Sequence, residues 1–188
     1  MRPLPRLFLL MGLAAPAHAA PVAYVLEPER STVGFATDFG QQVITGRMPV
    51  TQANLTLDFD QVSNTTIDVI LDVSRASASF PFAAQTLKGN TVLDARTYPT
   101  IHFVSTRVRR DGQSADVQGD LTIRGVTQRV TMRATIFRPD GQAEGDNSHL
   151  TVQMTGAVMR SDFGAVGFAD MVADEVRLDI VARIAATP

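Results

Sequence analysis

The sequence contains no cysteine and no tryptophan, one lysine (Lys88) and two tyrosines. Without cysteine there can be no disulfide, no thiolate nucleophile and no cysteine-based metal centre. Histidine is nearly as scarce. Beyond His18 only His102 and His149 occur, far apart and without the close spacing that metal ligands on one element need. No metal site is expected, and His102 reads as a structural or rim residue. The nucleophile elbow GxSxG is absent, and no motif brings a histidine to a serine, so no catalytic residue is assigned. Basic runs are also missing. The charge is mildly acidic, 17 Lys+Arg against 19 Asp+Glu, which argues against nucleic acid as partner.

One hydrophobic run is long enough to notice, and it lies at the start. Arg2 and Arg6 precede Leu7–Ala15, followed by Pro16 and Ala17-His18-Ala19. A basic end, a short apolar stretch and a small-x-small site predict a secretory signal peptide (1–19), cleaved after Ala19. Pro16 keeps the run below the roughly 20 apolar residues of a membrane span. The remaining 20–188 carries no other candidate for a spanning helix. Its 15 basic and 19 acidic residues give a net charge of −4 once Arg2 and Arg6 are gone. An export leader without cysteine fits a bacterial periplasm, where a full-sized core replaces disulfides.

What the chain has in abundance is period-two alternation. In Val117–Ala134, Val117, Gly119, Leu121 and Ile123 alternate with Gln118, Asp120 and Thr122, and the pattern resumes after Arg124-Gly125. Such spacing puts one set on each face of a strand, and Gly125 supplies the positive φ of a tight hairpin. Similar strands read at 33–39, 43–48, 53–59, 67–74, 100–108, 150–158 and 176–184. Along 100–108 neither set is wholly polar, so its facing stays open. Phe82–Pro99 is the exception to the alternation and predicts a short helical excursion. Asp58, Asp60, Asp68 and Asp72 alternate with apolar residues and read as the water-facing side of strands. About eight strands with short connections imply an all-β antiparallel barrel or sandwich. An eight-stranded barrel is either filled by side chains or holds one small ligand.

Four segments carry a family resemblance: RSTVGF (30–35), YPTIHFVSTRV (98–108), GDLTIRGVTQRVTM (119–132) and RSDFG (160–164). Together they resemble the YceI family of secreted bacterial proteins. The resemblance implies one domain over 20–188, an eight-stranded lipocalin-like β-barrel, and a polyisoprenoid lipid in its interior. Thr37–Gly40 departs from the family pattern, which often has a histidine there. Upstream of Tyr98 only Leu87 and Lys88 match, with Thr86 and Thr91 at the usual histidine and acidic positions.

The resemblance turns the apolar faces into candidate ligand contacts: Phe35, Leu55, Leu57, Val69, Leu71, Phe103, Leu121, Val130, Met132, Met154, Leu178 and Ile180. Met132 and Met154 suit a wall that adapts to a chain. Lys88, Arg96 and Arg160, in or beside loops expected at the rim, are candidates for a polar head such as a phosphate or quinone. The expected function is a non-catalytic periplasmic carrier of a polyprenyl or quinone-precursor lipid, with no other cofactor; a homodimer is compatible with it. A small outer-membrane barrel is the alternative, against which stand the missing aromatic girdles. An enzyme acting on a prenyl-like substrate would need polar groups converging inside the barrel.

Overall fold

The hairpin at the centre of the sequence joins two long strands across Arg124-Gly125, with Ile123 opposite Val126. Both turn residues have positive φ, 52° and 73°, the signature of the two-residue turn whose twist matches that of paired strands. The computed structural model describes residues 20–143 and 145–187. The expected signal peptide, 1–19, lies outside the described residues.

The strands are β1 (Val22–Leu26), β2 (Thr32–Phe39), β3 (Gln42–Arg47), β4 (Val50–Leu57), β5 (Thr66–Asp72) and β6 (Ser77–Ala78). After α1 (Pro81–Leu87) come β7 (Thr100–Asp111), β8 (Ser114–Ile123), β9 (Val126–Phe137), β10 (His149–Met159) and β11 (Glu175–Ala186). All named pairings are antiparallel. The order β1-β4-β5-β7-β8-β9-β10-β11 returns to β1, so eight strands close a barrel. The expected helical excursion is α1 and the turns after it.

The ring differs from the expected set of strands in two respects: β1 joins it, and the expected strands at 33–39 and 43–48 lie outside it. β1 went unread because VAYVL is apolar at nearly every position, and it closes the barrel between β4 and β11. β1 and β2 are two halves of one broken strand along β11. Leu26 faces Ile184, a 3-10 turn over Pro28–Arg30 interrupts, and Thr32 resumes opposite Val181. β2 then pairs with β3, and β3 with β6, so these three strands form a flap that extends the wall at one end.

The strand at 100–108 owes its ambiguous pattern to a bulge. Ser105 pairs with Gly119 but Arg107 pairs with Gln118, leaving one extra residue on β7. The bulge switches the inward set from Ile101 and Phe103 to Val108, all three buried. Outer faces carry cross-strand ion pairs: Arg109–Asp116 at 3.0 Å, Arg129–Asp120 at 3.0 Å and Arg133–Asp111 at 2.8 Å. His102 Nε2 sits 2.7 Å from Asp68 on the neighbouring strand. Asp58 corrects the expectation that it faces water. It is buried where β4 ends, and its carboxylate accepts the backbone N–H groups of Asp60 and Gln61 and the Asn64 side-chain amide.

Candidate functional site

Successive inward residues of each strand descend through the barrel in three levels. On β11 the order is Val176, Leu178 and Ile180, then Ala182 and Ile184; on β10 it is Val158, then Met154, then Leu150. At the lower end Tyr24, Leu57, Leu150 and Ile184 are buried together, with Leu26, Leu55 and Ile136 against them. The Tyr24 hydroxyl donates to the Asn147 carbonyl at 2.8 Å, and burial raises its pKa. Above this plug lies a packed layer including Val108, Val117, Ala134 and Met154.

Above that layer, on the side of the β2–β3–β6 flap and α1, a cavity of about 500 Å³ opens. Its size is that of a small-molecule site. Its walls include Phe35, Leu71, Ile101, Phe103, Leu121, Met132, Leu178 and Ile180. The space exists partly because two aromatic rings press close against glycines. Phe35 pairs with Gly46, where an added Cβ would stand 2.1 Å from the ring, and a Cβ at Gly119 would stand 2.4 Å from the Phe103 ring. A larger residue at either glycine would meet the ring and also a backbone carbonyl, that of Ser77 at 2.4 Å or of Val104 at 2.6 Å, so ring and strand would both have to shift. Where the cavity meets solvent, Phe39, Phe80, Phe82, Phe168 and Met171 are exposed and form an apolar rim.

Polar lining groups are few. The buried Thr37 hydroxyl lies 3.2 Å and 3.0 Å from the carbonyls of Ala173 and Glu175. Among the described residues no buried side-chain nitrogen or oxygen lacks a partner. Beside the rim, Arg177 binds Asp38 through two hydrogen bonds of 2.6 Å and 3.2 Å. This bonding holds the Asp38 carboxyl below its ordinary range. Hydrogen bonds from Ser161 do the same for Asp174.

Of the apolar candidates, Phe35, Leu71, Phe103, Leu121, Met132, Leu178 and Ile180 line the cavity. The other five do not, because face alone does not fix height in the barrel. Leu55 and Leu57 belong to the lower plug. Met154 lies in the packed layer, and Val130 packs against it half-buried. Val69 pairs with Phe103 but stays in the wall.

The head-group candidates also separate. Arg160 is not a rim charge. It is 9% exposed, and its guanidinium donates to four carbonyls, those of Ala165, Gly167, Val172 and Ala173. These lie on both arms of the loop between β10 and β11, so Arg160 clasps the loop that brings Phe168, Met171 and Val172 to the cavity. Lys88 follows α1, half-buried, and Arg96 is exposed; neither lines the cavity. A second arginine steadies the same side. Arg124 Nη1 donates to the carbonyls of Asn90 and Val92 at 2.8 Å and 2.7 Å, while the Gly167 N–H donates to the Thr91 carbonyl between them.

Lining residues that the alternation did not single out include Ile44, Met48, Phe80, Phe163 and Phe168. Most sit in the flap or in loops, where no period marks an inward face. A usable signal was the pair of glycines inside strands, Gly46 and Gly119, since glycine in a strand marks close approach.

Comparison with known proteins places these features in a family. The sequence matches the YceI-like domain over residues 24–184. A UPF0312 protein of Pseudomonas putida strain W619 is 31% identical over 129 residues, 68% of this chain and 67% of that protein. Protein YceI of Escherichia coli is 27% identical over 129 residues, 68% of each. Among solved structures, BcnA of Burkholderia cenocepacia superposes with a TM-score of 0.76 at 21% identity, covering 85% of this chain and 99% of that one. A polyisoprenoid binding domain from Saccharophagus degradans gives 0.65 at 14% identity, over 88% and 99%. At those identities the likeness speaks for the fold.

Proposed function

The chain belongs to the YceI-like domain family, and from that premise we propose that it is a periplasmic carrier that holds an isoprenoid lipid in the upper half of its barrel without acting on it chemically. The observation that carries this reading is the cavity of about 500 Å³ with almost wholly apolar walls. A hydrocarbon buried there contributes roughly 0.8 kcal/mol per methylene-sized group. About fifteen such groups, roughly three five-carbon units, then suffice for micromolar binding after association costs of about 4 kcal/mol. The description of one structural neighbour as a polyisoprenoid binding domain supports the ligand class. Among the described residues no buried side-chain nitrogen or oxygen lacks a partner, which favours carriage over catalysis. The ion-paired outer faces favour a water-surrounded barrel over one embedded in an outer membrane.

The experiment is extraction of the natively purified protein with organic solvent and mass spectrometry of the extract, together with titration of the delipidated protein with a fluorescent prenyl analogue. A co-purifying prenyl lipid and saturable uptake are expected. An empty extract combined with no uptake overturns the reading. Osmotic-shock fractionation tests the setting: the protein should leave with the periplasmic contents.

A further inference from the structure

We infer that the open end of the barrel is a docking surface for a lipid bilayer, which it meets through an apolar collar without cations; this goes beyond the carrier reading and stands or falls separately from it. The first ground is where the exposed apolar residues gather. Phe39, Phe80, Phe82 and Phe168 are exposed at the cavity mouth, Phe82 to 79%. Exposed Val43 and Val166 stand outside them, each between two residues that line the cavity while lining none of it themselves. Among the described residues the opposite end exposes only Val25 and Phe137 as large apolar side chains. Taking a whole phenylalanine at about 200 Å², the four at the mouth alone leave roughly 400 Å² in water. The two valines and Met171 carry the patch past the few hundred Å² that a free monomer ordinarily exposes in one piece.

The second ground is that the collar is preformed. The segments that supply it are tied edge to edge. The Gly40 N–H donates to the Met171 carbonyl at 3.3 Å, the Gly167 N–H to the Thr91 carbonyl at 2.8 Å, and the Ser79 N–H to the Thr45 carbonyl at 2.7 Å. Arg160 clasps the loop that carries Val166 and Phe168. A surface already ordered loses little conformational freedom when it is covered.

The third ground is charge, and it selects the occupant. Residues 37–46, 79–87 and 164–173 contain no lysine or arginine, and their only charges are Asp38 and Asp170. Asp38 is already bound by Arg177. A protein partner takes its register from hydrogen bonds and complementary charge around an apolar centre, and this ring offers little of either. The interior of a bilayer asks for no hydrogen bonds and follows the shape of a ring of projecting side chains. Without a basic cluster there is nothing to draw the collar to anionic lipid, so the surface it fits is one of zwitterionic phospholipid.

The test is flotation of the delipidated protein with phosphatidylcholine vesicles, repeated with about a third phosphatidylglycerol and across about 0.05 to 0.5 M salt. Binding to phosphatidylcholine is expected, changing less than about threefold with anionic lipid or salt. Val43→Gln combined with Val166→Gln, checked for native circular dichroism, should weaken it at least about tenfold. Uptake of a prenyl analogue in solution should stay within about twofold in that variant, because neither valine lines the cavity. Phe82→Ala is the second variant and should weaken flotation about tenfold. No flotation with phosphatidylcholine, binding that requires anionic lipid and vanishes in salt, or variants that float like the parent chain each overturn the inference. So does a dimer in sedimentation velocity that the valine variant returns to monomers, which would give the collar to a second copy. Prenyl uptake without vesicle binding overturns the docking and leaves the carrier reading; vesicle binding without uptake does the reverse.

Discussion

Replacing Arg160 by methionine should destabilise the protein by about 3–4 kcal/mol, far beyond the effect of a surface arginine. The side chain is 9% exposed and donates to four backbone carbonyls on two arms of one loop. Methionine keeps most of the packing of the stem and removes every donor. A hydrogen bond from a charged donor contributes roughly 1.5–3 kcal/mol, but the four do not add fully. Gly167, Val172 and Ala173 are half-buried and their carbonyls can find water once the loop relaxes, whereas Ala165 is buried and its carbonyl cannot without unfolding locally. Removing the buried guanidinium also relieves a desolvation cost, partly met in the native state by the nearby Asp174 carboxylate. For a domain of this size each kcal/mol shifts Tm by about 2–4 °C, so a fall of about 6–16 °C is expected in a thermal melt followed by far-ultraviolet circular dichroism. Chymotrypsin should also cut faster at Phe168 in the variant. Arg160→Lys places its donors at one point, cannot span both arms, and should recover less than half of the loss. A loss under about 1 kcal/mol with unchanged proteolysis would mean that the clasp contributes nothing and that the loop is held by other contacts.

Other outcomes follow from the same geometry. Gly119→Val should displace both the Phe103 ring and the β7 backbone at the Val104 carbonyl, 2.6 Å from the new Cβ, costing at least about 3 kcal/mol and reducing uptake of a prenyl probe; Phe103→Ala in the same chain should recover only part of the loss, and a cost under about 1 kcal/mol with unchanged binding would contradict the close-approach account. Gly125→Ala, at φ 73° and with a new Cβ 3.0 Å from the Tyr98 ring, should cost about 1–2 kcal/mol in urea denaturation, with the register of the hairpin kept in amide exchange. Asp38, Asp72, Asp146 and Asp174 all have carboxyls held below their ordinary range by hydrogen bonds, from Arg177, Arg75, Ser148 and Ser161 respectively. Their contribution is complete above the unfolded value of about 3.9 and is lost as pH falls through the lower folded values. Denaturant midpoints should therefore be level in this respect from pH 5 upward and fall below pH 4, and Asp174→Asn should lower the neutral value while flattening the acid limb.

The barrel was legible where one face is buried and the other wet. The alternation at 117–134 fixes both strands, their turn and their shared inward set, because a slip by one residue would expose Leu121 and Met132 together. Elsewhere the period misleads for physical reasons. β1 has no polar face to mark it, and the bulge at Ser105–Arg107 inverts the inward set halfway along β7. The flap of β2 and β3 alternates as ring strands do, so its place outside the closed ring shows only in the pairing of β11 with both halves of the broken strand. The cavity was hidden more deeply. Leu57 and Leu178 follow the same pattern, yet one fills a plug and the other lines a space, because alternation records direction and not height. Arg160 could not be read as a clasp, since the carbonyls that accept its hydrogen bonds leave no trace in a sequence.

The seam between β1 and β11 has a consequence for assembly. Tyr24 meets Ala186 and Leu26 meets Ile184, so the cylinder is sewn shut by stretches some 160 residues apart along the polymer. During synthesis the growing sheet must wait, with two raw borders and a greasy concave surface, until the closing stitches arrive. A chain cut short before residue 184 would keep those borders for good and should be a substrate for chaperones or an aggregate, however well its central hairpin had formed.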